Sequence, residues 1–229
     1  MRRVVLVLAD ELRPDAITPG VMPSLDALGG AFTLALHART VRPSKTVAAL
    51  ASLATGVAPQ THRLTEPGLG RRLTARGSRA RETAATANCL LARREERLLF
   101  VYLPDCDRAG HAHGWMSQRY LAAAAEVDAG VGALVSGSDD TVFIITADHG
   151  GGGVTGTEHD QPHPANDHIP LIVAGPGVTR RHQLTRPISI LDVPATILWW
   201  FGVPVPQRYE GRPVVEAFSR VSAPVTVPE

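Results

Sequence analysis

Four stretches of the chain are apolar almost without interruption: RVVLVLA at 3–9, LLFVYL at 98–103, TVFIIT at 141–146 and PLIVA at 170–174. A strand with one face in water alternates apolar and polar residues. Continuous runs suit strands covered on both faces, which is the situation inside a parallel sheet. A less regular run, TLALHA at 33–38, fits a further strand. Helical spacing falls between them, over roughly 23–31, 46–55, 80–93, 117–136 and 189–201. The clearest is 117–136, where Tyr120, Ala124, Val127, Val131 and Leu134 recur at three- and four-residue steps. Strands alternating with helices predict an α/β, doubly wound domain.

A length of 229 residues supports one sizeable core, so a single domain over 1–229 is expected. The segment 63–97, rich in Arg and Thr, reads as a short helical connection, and the tail beyond about 218 as a surface segment. A net charge of +1 gives no reason to expect a nucleic-acid polymer or an anionic membrane as partner. No apolar run is long enough to span a bilayer. The start, MRRVVLVLADELRPD, imitates a signal peptide only faintly, because its short apolar run leads into charge without a small-residue cleavage site. Cys89 and Cys106 form no spaced motif, and a reduced, cytoplasmic protein is the simplest expectation. Trp199, Trp200 and Phe201 in succession suit core packing or an interface, and the oligomeric state stays open.

The strand ends carry the chemistry. In open α/β sheets ligands bind beyond the carboxyl ends of the strands. Asp10 follows the first run, Asp105 and Asp107 follow the second, and Asp148-His149 with four glycines follow the third. Any one of these aspartates could simply cap a helix or open a turn. Three such placements at one sheet edge are harder to assign to capping. Six of the nine histidines lie between 111 and 168: His111, His113, His149, His159, His163 and His168. Imidazoles interleaved with carboxylates are how proteins hold zinc or a similar divalent ion, and there are groups enough for two.

In RPSKTVAALASLATG, 42–56, Ser44 or Thr46 can cap a helix that stops at Gly56. A hydroxyl there also meets free N–H groups and the positive end of the helix dipole, which suits a phosphate. A metal on the same hydroxyl would make it a nucleophile. The chain's single lysine, Lys45, lies beside it.

These residues together resemble the alkaline phosphatase superfamily, closest to its nucleotide pyrophosphatase/phosphodiesterase branch. PSKTVAALASLATGVAPQTH is similar to that branch's nucleophile segment, DRAGHAHG to its Asp-x-x-x-His metal pair, and TADHGG to its Asp-His pair. HDQPHPANDHIPLIVAGPGV resembles the segment with the last metal histidine, and ISILDVPATILWWFGVPVPQRYEGRP the closing helix and turn. The resemblance implies a three-layer αβα sandwich around a mostly parallel sheet. It implies Thr46 as nucleophile, assisted by Lys45, in a phosphodiesterase- or nucleotide-pyrophosphatase-like hydrolase of small phosphoric esters. It implies two divalent ions, one on Asp10, Thr46, Asp148 and His149, the other on Asp107, His111 and His159, with His163 and His168 in reserve for the last position. Zinc is the first expectation, and manganese also fits mixed carboxylate and imidazole ligands. Thr46 would attack phosphorus and form a phosphothreonine that water then hydrolyses.

Two departures bear on the substrate. The branch carries Asn three residues after the nucleophile, where this chain has Ala49, and Lys45 or Arg42 is the candidate replacement. The large insertions that shape the branch's pocket are also missing. A phosphomonoesterase, or a phosphonate- or phosphoryl-transfer enzyme, would use nearly the same ligands. A sulfatase is disfavoured, because neither cysteine lies in a Cys/Ser-x-Pro-x-Arg context. A metal-binding module without turnover is the reading outside enzymes.

Overall fold

A computed structural model describes residues 2–65, 79–153, 155–159 and 162–219. The part of the predicted 63–97 connection at 66–78, and the tail from 220, lie outside the described residues. Six strands form one sheet: β1 (Val4–Ala9), β2 (Thr33–Arg39), β3 (Leu98–Leu103), β4 (Val142–Thr146), β5 (His168–Ala174) and β6 (His182–Gln183), in the order β3-β1-β4-β5-β2-β6. β1 pairs in parallel with both β3 and β4, so the carboxyl ends of these three strands lie together at one edge. β5 runs antiparallel to β4 and to β2. The run at 170–174 is therefore the exception to the expected parallel arrangement, and its reversal brings the start of β5, not its end, to the edge where β1, β3 and β4 finish.

The continuous apolar runs have the burial that sequence pattern predicts in the centre of the sheet and lose it at the rim. Every residue of β1 and β4 is buried. β3 is an edge strand, and there Leu98 is 47% and Phe100 48% exposed although the run reads like the others. The run shows that a strand is apolar, and its position in the sheet decides whether both faces are covered.

The helices are α1 (Pro23–Ala31), α2 (Thr46–Thr55), α3 (Pro59–His62), α4 (Ala80–Arg93), α5 (Asp105–His113), α6 (Gln118–Ser136), α7 (Pro164–Asp167) and α8 (Asp192–Phe201). The predicted helical windows match α1, α2, α4, α6 and α8; α3 and α7, four residues each, carry too few turns for periodicity to reveal them, and α5, as long as α1, has a mostly polar sequence, DCDRAGHAH, with no apolar stripe to read. On α6, Tyr120, Ala124, Val127, Val131 and Leu134 are all fully buried. The Ser117 hydroxyl caps it by accepting from the Tyr120 N–H at 3.2 Å. α6 packs against α1, α4 and α5, while α2 packs against α8. Burial of side chains of Val or Leu size contributes about 1.5–3 kcal/mol each, which makes this stripe the main anchor of its layer.

α5 and α2 place the site. α5 starts directly after β3, so Asp107 and His111 emerge one turn apart above the sheet edge. α2 begins at Thr46 and ends at Gly56, whose φ of 74° is the left-handed conformation that glycine adopts without penalty. Among the described residues no helix is long and apolar enough to cross a membrane.

Candidate active site

The loops after β1, β3 and β4, the start of α2 and the segment before α7 converge at the carboxyl edge of the sheet. Two groups of side chains there have ligand atoms within 4.8 Å of one another: Asp10, Asp148 and His149, all buried, and Glu11, His111 and His159. Thr46 Oγ1 lies 3.2 Å from His149 Nε2, which sets the hydroxyl beside the first group at the N-terminus of α2. Asp107 Oδ1 lies 3.5 Å from His111 Nε2, at the margin of the second. Of the residues read from sequence as ligands or nucleophile, Asp10, Thr46, Asp107, His111, Asp148, His149 and His159 all come together. Lys45 is the residue just before α2.

The alternatives lie elsewhere. Asp105 accepts from the Ala80 N–H at 3.3 Å, and so caps α4. His163 Nδ1 accepts from the Ala165 N–H at 3.1 Å, at the start of α7. His168 packs edge-on against His37. Ala49 is fully buried in the core, so its position offers no contact to a substrate. Arg42 is bound to Asp167, with Nε 3.1 Å from Oδ2, and the Ser44 hydroxyl donates to Asp167 Oδ1 at 2.9 Å.

Glu11 is the member of these two groups that sequence reasoning missed. Neighbours on a strand point to opposite faces, so a run ending Ala9-Asp10-Glu11 gives no reason to place both acids in one site. The chain instead turns left-handed at Glu11, φ 56°, a conformation that costs a non-glycine residue about 1–2 kcal/mol. Three hydrogen bonds hold this turn. Its N–H donates to Asp148 Oδ1 at 3.1 Å, its carbonyl accepts from the Tyr120 hydroxyl at 2.8 Å, and that hydroxyl accepts from the Arg13 N–H at 2.9 Å. The pairing of two acids directly after a strand was the available signal.

The donor set fits divalent cations by its hydrogen bonding as well as its composition. Asp148 Oδ1 accepts two backbone N–H groups, from Glu11 and His149, while Oδ2 is buried with no hydrogen-bond partner among the described residues. Asp10 Oδ2 accepts from the Tyr102 hydroxyl, and its Oδ1 is likewise left over. Each carboxylate is thus oriented through one oxygen and presents the other. The histidines follow the same rule. His149 Nδ1 meets the Gly150 carbonyl at 2.9 Å, His111 Nδ1 that of Thr157 at 3.0 Å, and His159 Nδ1 that of Ser44 at 3.2 Å. A carbonyl can only accept, so each Nδ1 carries the hydrogen and each Nε2 keeps a lone pair. Those Nε2 atoms point at carboxylate oxygens: His159 Nε2 is 2.9 Å and His111 Nε2 3.9 Å from Glu11 Oε1. A lone pair facing a carboxylate oxygen needs a proton or a metal cation between them, and this is the orientation that backbone partners impose on metal-ligating imidazoles.

The electrostatics agree. Burial, then the Asp148 and Asp107 charges, pushes the Asp10 carboxyl well above its ordinary range. Burial pushes Glu11 up to about 9, with His149 opposing and Asp107 and Asp148 adding to the rise. Burial also raises Asp107, against the pull of His111. Negative groups packed this closely in a dry site need positive charge to stay ionised.

The family model for type I phosphodiesterase / nucleotide pyrophosphatase matches residues 4–78 and 68–183. Arylsulfatase K of Danio rerio is 32% identical over 114 residues, 45% of this chain and 21% of that protein. GPI ethanolamine phosphate transferase 1 of Candida glabrata is 35% identical over 101 residues, 42% of this chain and 11% of that protein. The chain therefore spans only about a fifth or less of the curated relatives it matches. Among solved structures, a phosphonate monoester hydrolase from Silicibacter pomeroyi superposes with a TM-score of 0.70 at 16% identity, covering 93% of this chain and 76% of that one, which establishes a shared fold. The chain belongs to the type I phosphodiesterase / nucleotide pyrophosphatase family, within the alkaline phosphatase superfamily.

Proposed function

We propose that this chain hydrolyses small phosphoric esters, diesters first, with Thr46 as nucleophile and with two divalent cations as cofactors. Asp10, Asp148 and His149 would hold one ion beside Thr46, and Glu11, His111 and His159 the other, with Asp107 at the margin between them. Bound at these groups, the cations would acidify a coordinated hydroxyl or water and neutralise phosphoryl oxygens. Zinc suits the imidazole-rich second group, and manganese suits the carboxylates.

The observation that carries the reading is the position of Thr46 Oγ1, 3.2 Å from His149 Nε2 and at the first position of α2. The first N–H groups of a ten-residue helix lack intrahelical acceptors and would be available to an incoming phosphoryl group. Thr46 Oγ gives up its proton as it bonds to phosphorus, the P–O ester bond breaks and its oxygen leaves with the electron pair and takes up a proton. Water then attacks phosphorus, the Thr46 Oγ–P bond breaks with return of a proton to Oγ, and the phosphate leaves, carrying its second ester group when the substrate is a diester. Lys45, adjacent to the nucleophile, would compensate phosphoryl charge that no Asn at position 49 can meet.

A sulfate-ester reading has the arylsulfatase K similarity in its favour. Against it, the Cys/Ser-x-Pro-x-Arg pattern laid on Pro43 puts Val41, a buried aliphatic residue, at the nucleophile position and Lys45 at that of the arginine. The test compares bis-p-nitrophenyl phosphate, p-nitrophenyl phosphate and p-nitrophenyl sulfate with added zinc or manganese. Turnover of the diester above the others supports the reading; Thr46→Ala should abolish it while bound ions remain. Sulfate turnover, or undiminished diester turnover in Thr46→Ala, overturns it, and inactivity on all three favours a metal-binding module.

A further inference from the structure

We propose that Trp115 is a positioning residue for the Glu11–His111–His159 group, its indole N–H orienting the Glu11 carboxylate towards a bound divalent cation. The inference rests on the ion-binding reading above. Trp115 follows α5 and is 8% exposed. Two glycines from separate segments make its seat. A Cβ at Gly110 would lie 2.5 Å from Trp115 Cε2, and one at Gly151 would lie 1.8 Å from Nε1, so any side chain at either position would displace the indole. The Trp115 N–H donates to the Gly156 carbonyl at 3.0 Å, which fixes the backbone end as well.

From this seat the ring meets both histidines of the group edge-on, with centroids 5.1 Å from His111 and 6.0 Å from His159. Packing alone would explain those contacts, and a phenyl ring would serve equally. The nitrogen is what packing does not explain. Trp115 Nε1 and both oxygens of Glu11 are buried without a well-formed hydrogen bond among the described residues. Buried indole N–H groups and carboxylates ordinarily find partners. The indole lies in the same pocket as that carboxylate: its ring packs on His159, whose Nε2 is 2.9 Å from Glu11 Oε1, and on His111, whose Nε2 is 3.9 Å from it. When one Glu11 oxygen turns to a cation between His111 and His159, the other is left for this donor. Partners behind the ligands in this manner hold them in the binding orientation and typically change metal affinity by about 10–100-fold.

The experiment uses the full chain stripped with chelator, titrated with zinc against a chelating dye, in the wild type, Trp115→Phe, Glu11→Gln, the double variant and His111→Ala. Phenylalanine keeps a ring in the seat and removes the donor. Expected in Trp115→Phe is one ion bound as in the wild type and the other about 10–100-fold more weakly. In the Glu11→Gln background the same change should alter affinity by less than about twofold, because the group it acts through is gone. Filling the weaker site should change indole fluorescence in the wild type and lose that component in Trp115→Phe. Equal weakening of both ions, full additivity with Glu11→Gln, or wild-type affinity in Trp115→Phe reduces Trp115 to packing and overturns the proposal. If His111→Ala still binds two ions at wild-type affinity, the ion-site reading itself fails, whatever Trp115 does.

Discussion

Asp167 ties the segment carrying Thr46 to the strand edge, and replacing it tests whether the nucleophile is held from outside the site. The residue closes α7 and is 4% exposed. Its carboxylate accepts from Ser44 at 2.9 Å and from Arg42, while its backbone carbonyl accepts from the Thr40 N–H at 2.9 Å. Asp167→Ala removes the side-chain bonds and leaves the backbone one. The Ser44 bond, to a charged acceptor, contributes about 2 kcal/mol. The Arg42 guanidinium is largely in solvent, where an ion pair adds little, so it enters the magnitude only as a sign. For a chain of this size such a loss lowers the melting temperature by roughly 4–8 °C. Freed at Ser44, two residues before Thr46, the loop also misplaces the hydroxyl, and turnover should fall by about 100-fold, the typical cost of an ångström of misalignment. Asp167→Asn, which keeps an acceptor for Ser44, should fall between. The pH dependence has a definite sign. Burial raises the Asp167 carboxyl, but Arg42 and Ser44 outweigh it and leave the group below its ordinary range. Its contribution is therefore complete above the ordinary carboxylate range and fades as pH falls through the lowered value; Asp167→Ala should lack that part of the acid transition. Thermal melts and diester turnover read the result. A variant that melts and turns over like the wild type would show that the loop is placed without this clamp, and the reasoning would be wrong.

Glu11→Gln should leave the metal-free protein folded and close to wild-type stability at neutral pH, because a carboxyl at about 9 is already protonated there and Gln nearly matches it in shape. The same variant should bind the ion of the second group measurably but far more weakly by dye competition; two ions at wild-type affinity would remove Glu11 from the ligands. Gly151→Ala would place a Cβ 1.8 Å from Trp115 Nε1, so it should destabilise the fold by about 1–3 kcal/mol and weaken the ion at the second group, measured by melting and by zinc titration. A wild-type melting curve would mean that the indole moves aside freely.

The first-order organisation was legible because it rests on local rules. Continuous apolar runs located β1, β3, β4 and β5, three- and four-step spacing located α6, and the acids after the runs located the site edge. Where the rules are non-local the sequence was silent. LLFVYL reads as buried as TVFIIT, yet Phe100 is half exposed, because nothing within a run records whether a neighbour lies beyond it. PLIVA carries no mark of its reversed direction, since residue pattern is the same for parallel and antiparallel strands covered on both faces. Asp105 and Asp107 flank Cys106 with the same chemistry. Only the helical turn of α5 sends one to cap α4 and the other to His111.

The sequence by itself determined an α/β sheet with carboxylates and imidazoles delivered to one edge and a hydroxyl at a helix start, because strand periodicity and helix capping are decided within a few residues. Tertiary structure alone decided that Glu11 joins them. That requires a left-handed residue kept in place by Asp148 and Tyr120, more than a hundred positions away, and contacts at that distance leave no local trace in the chain.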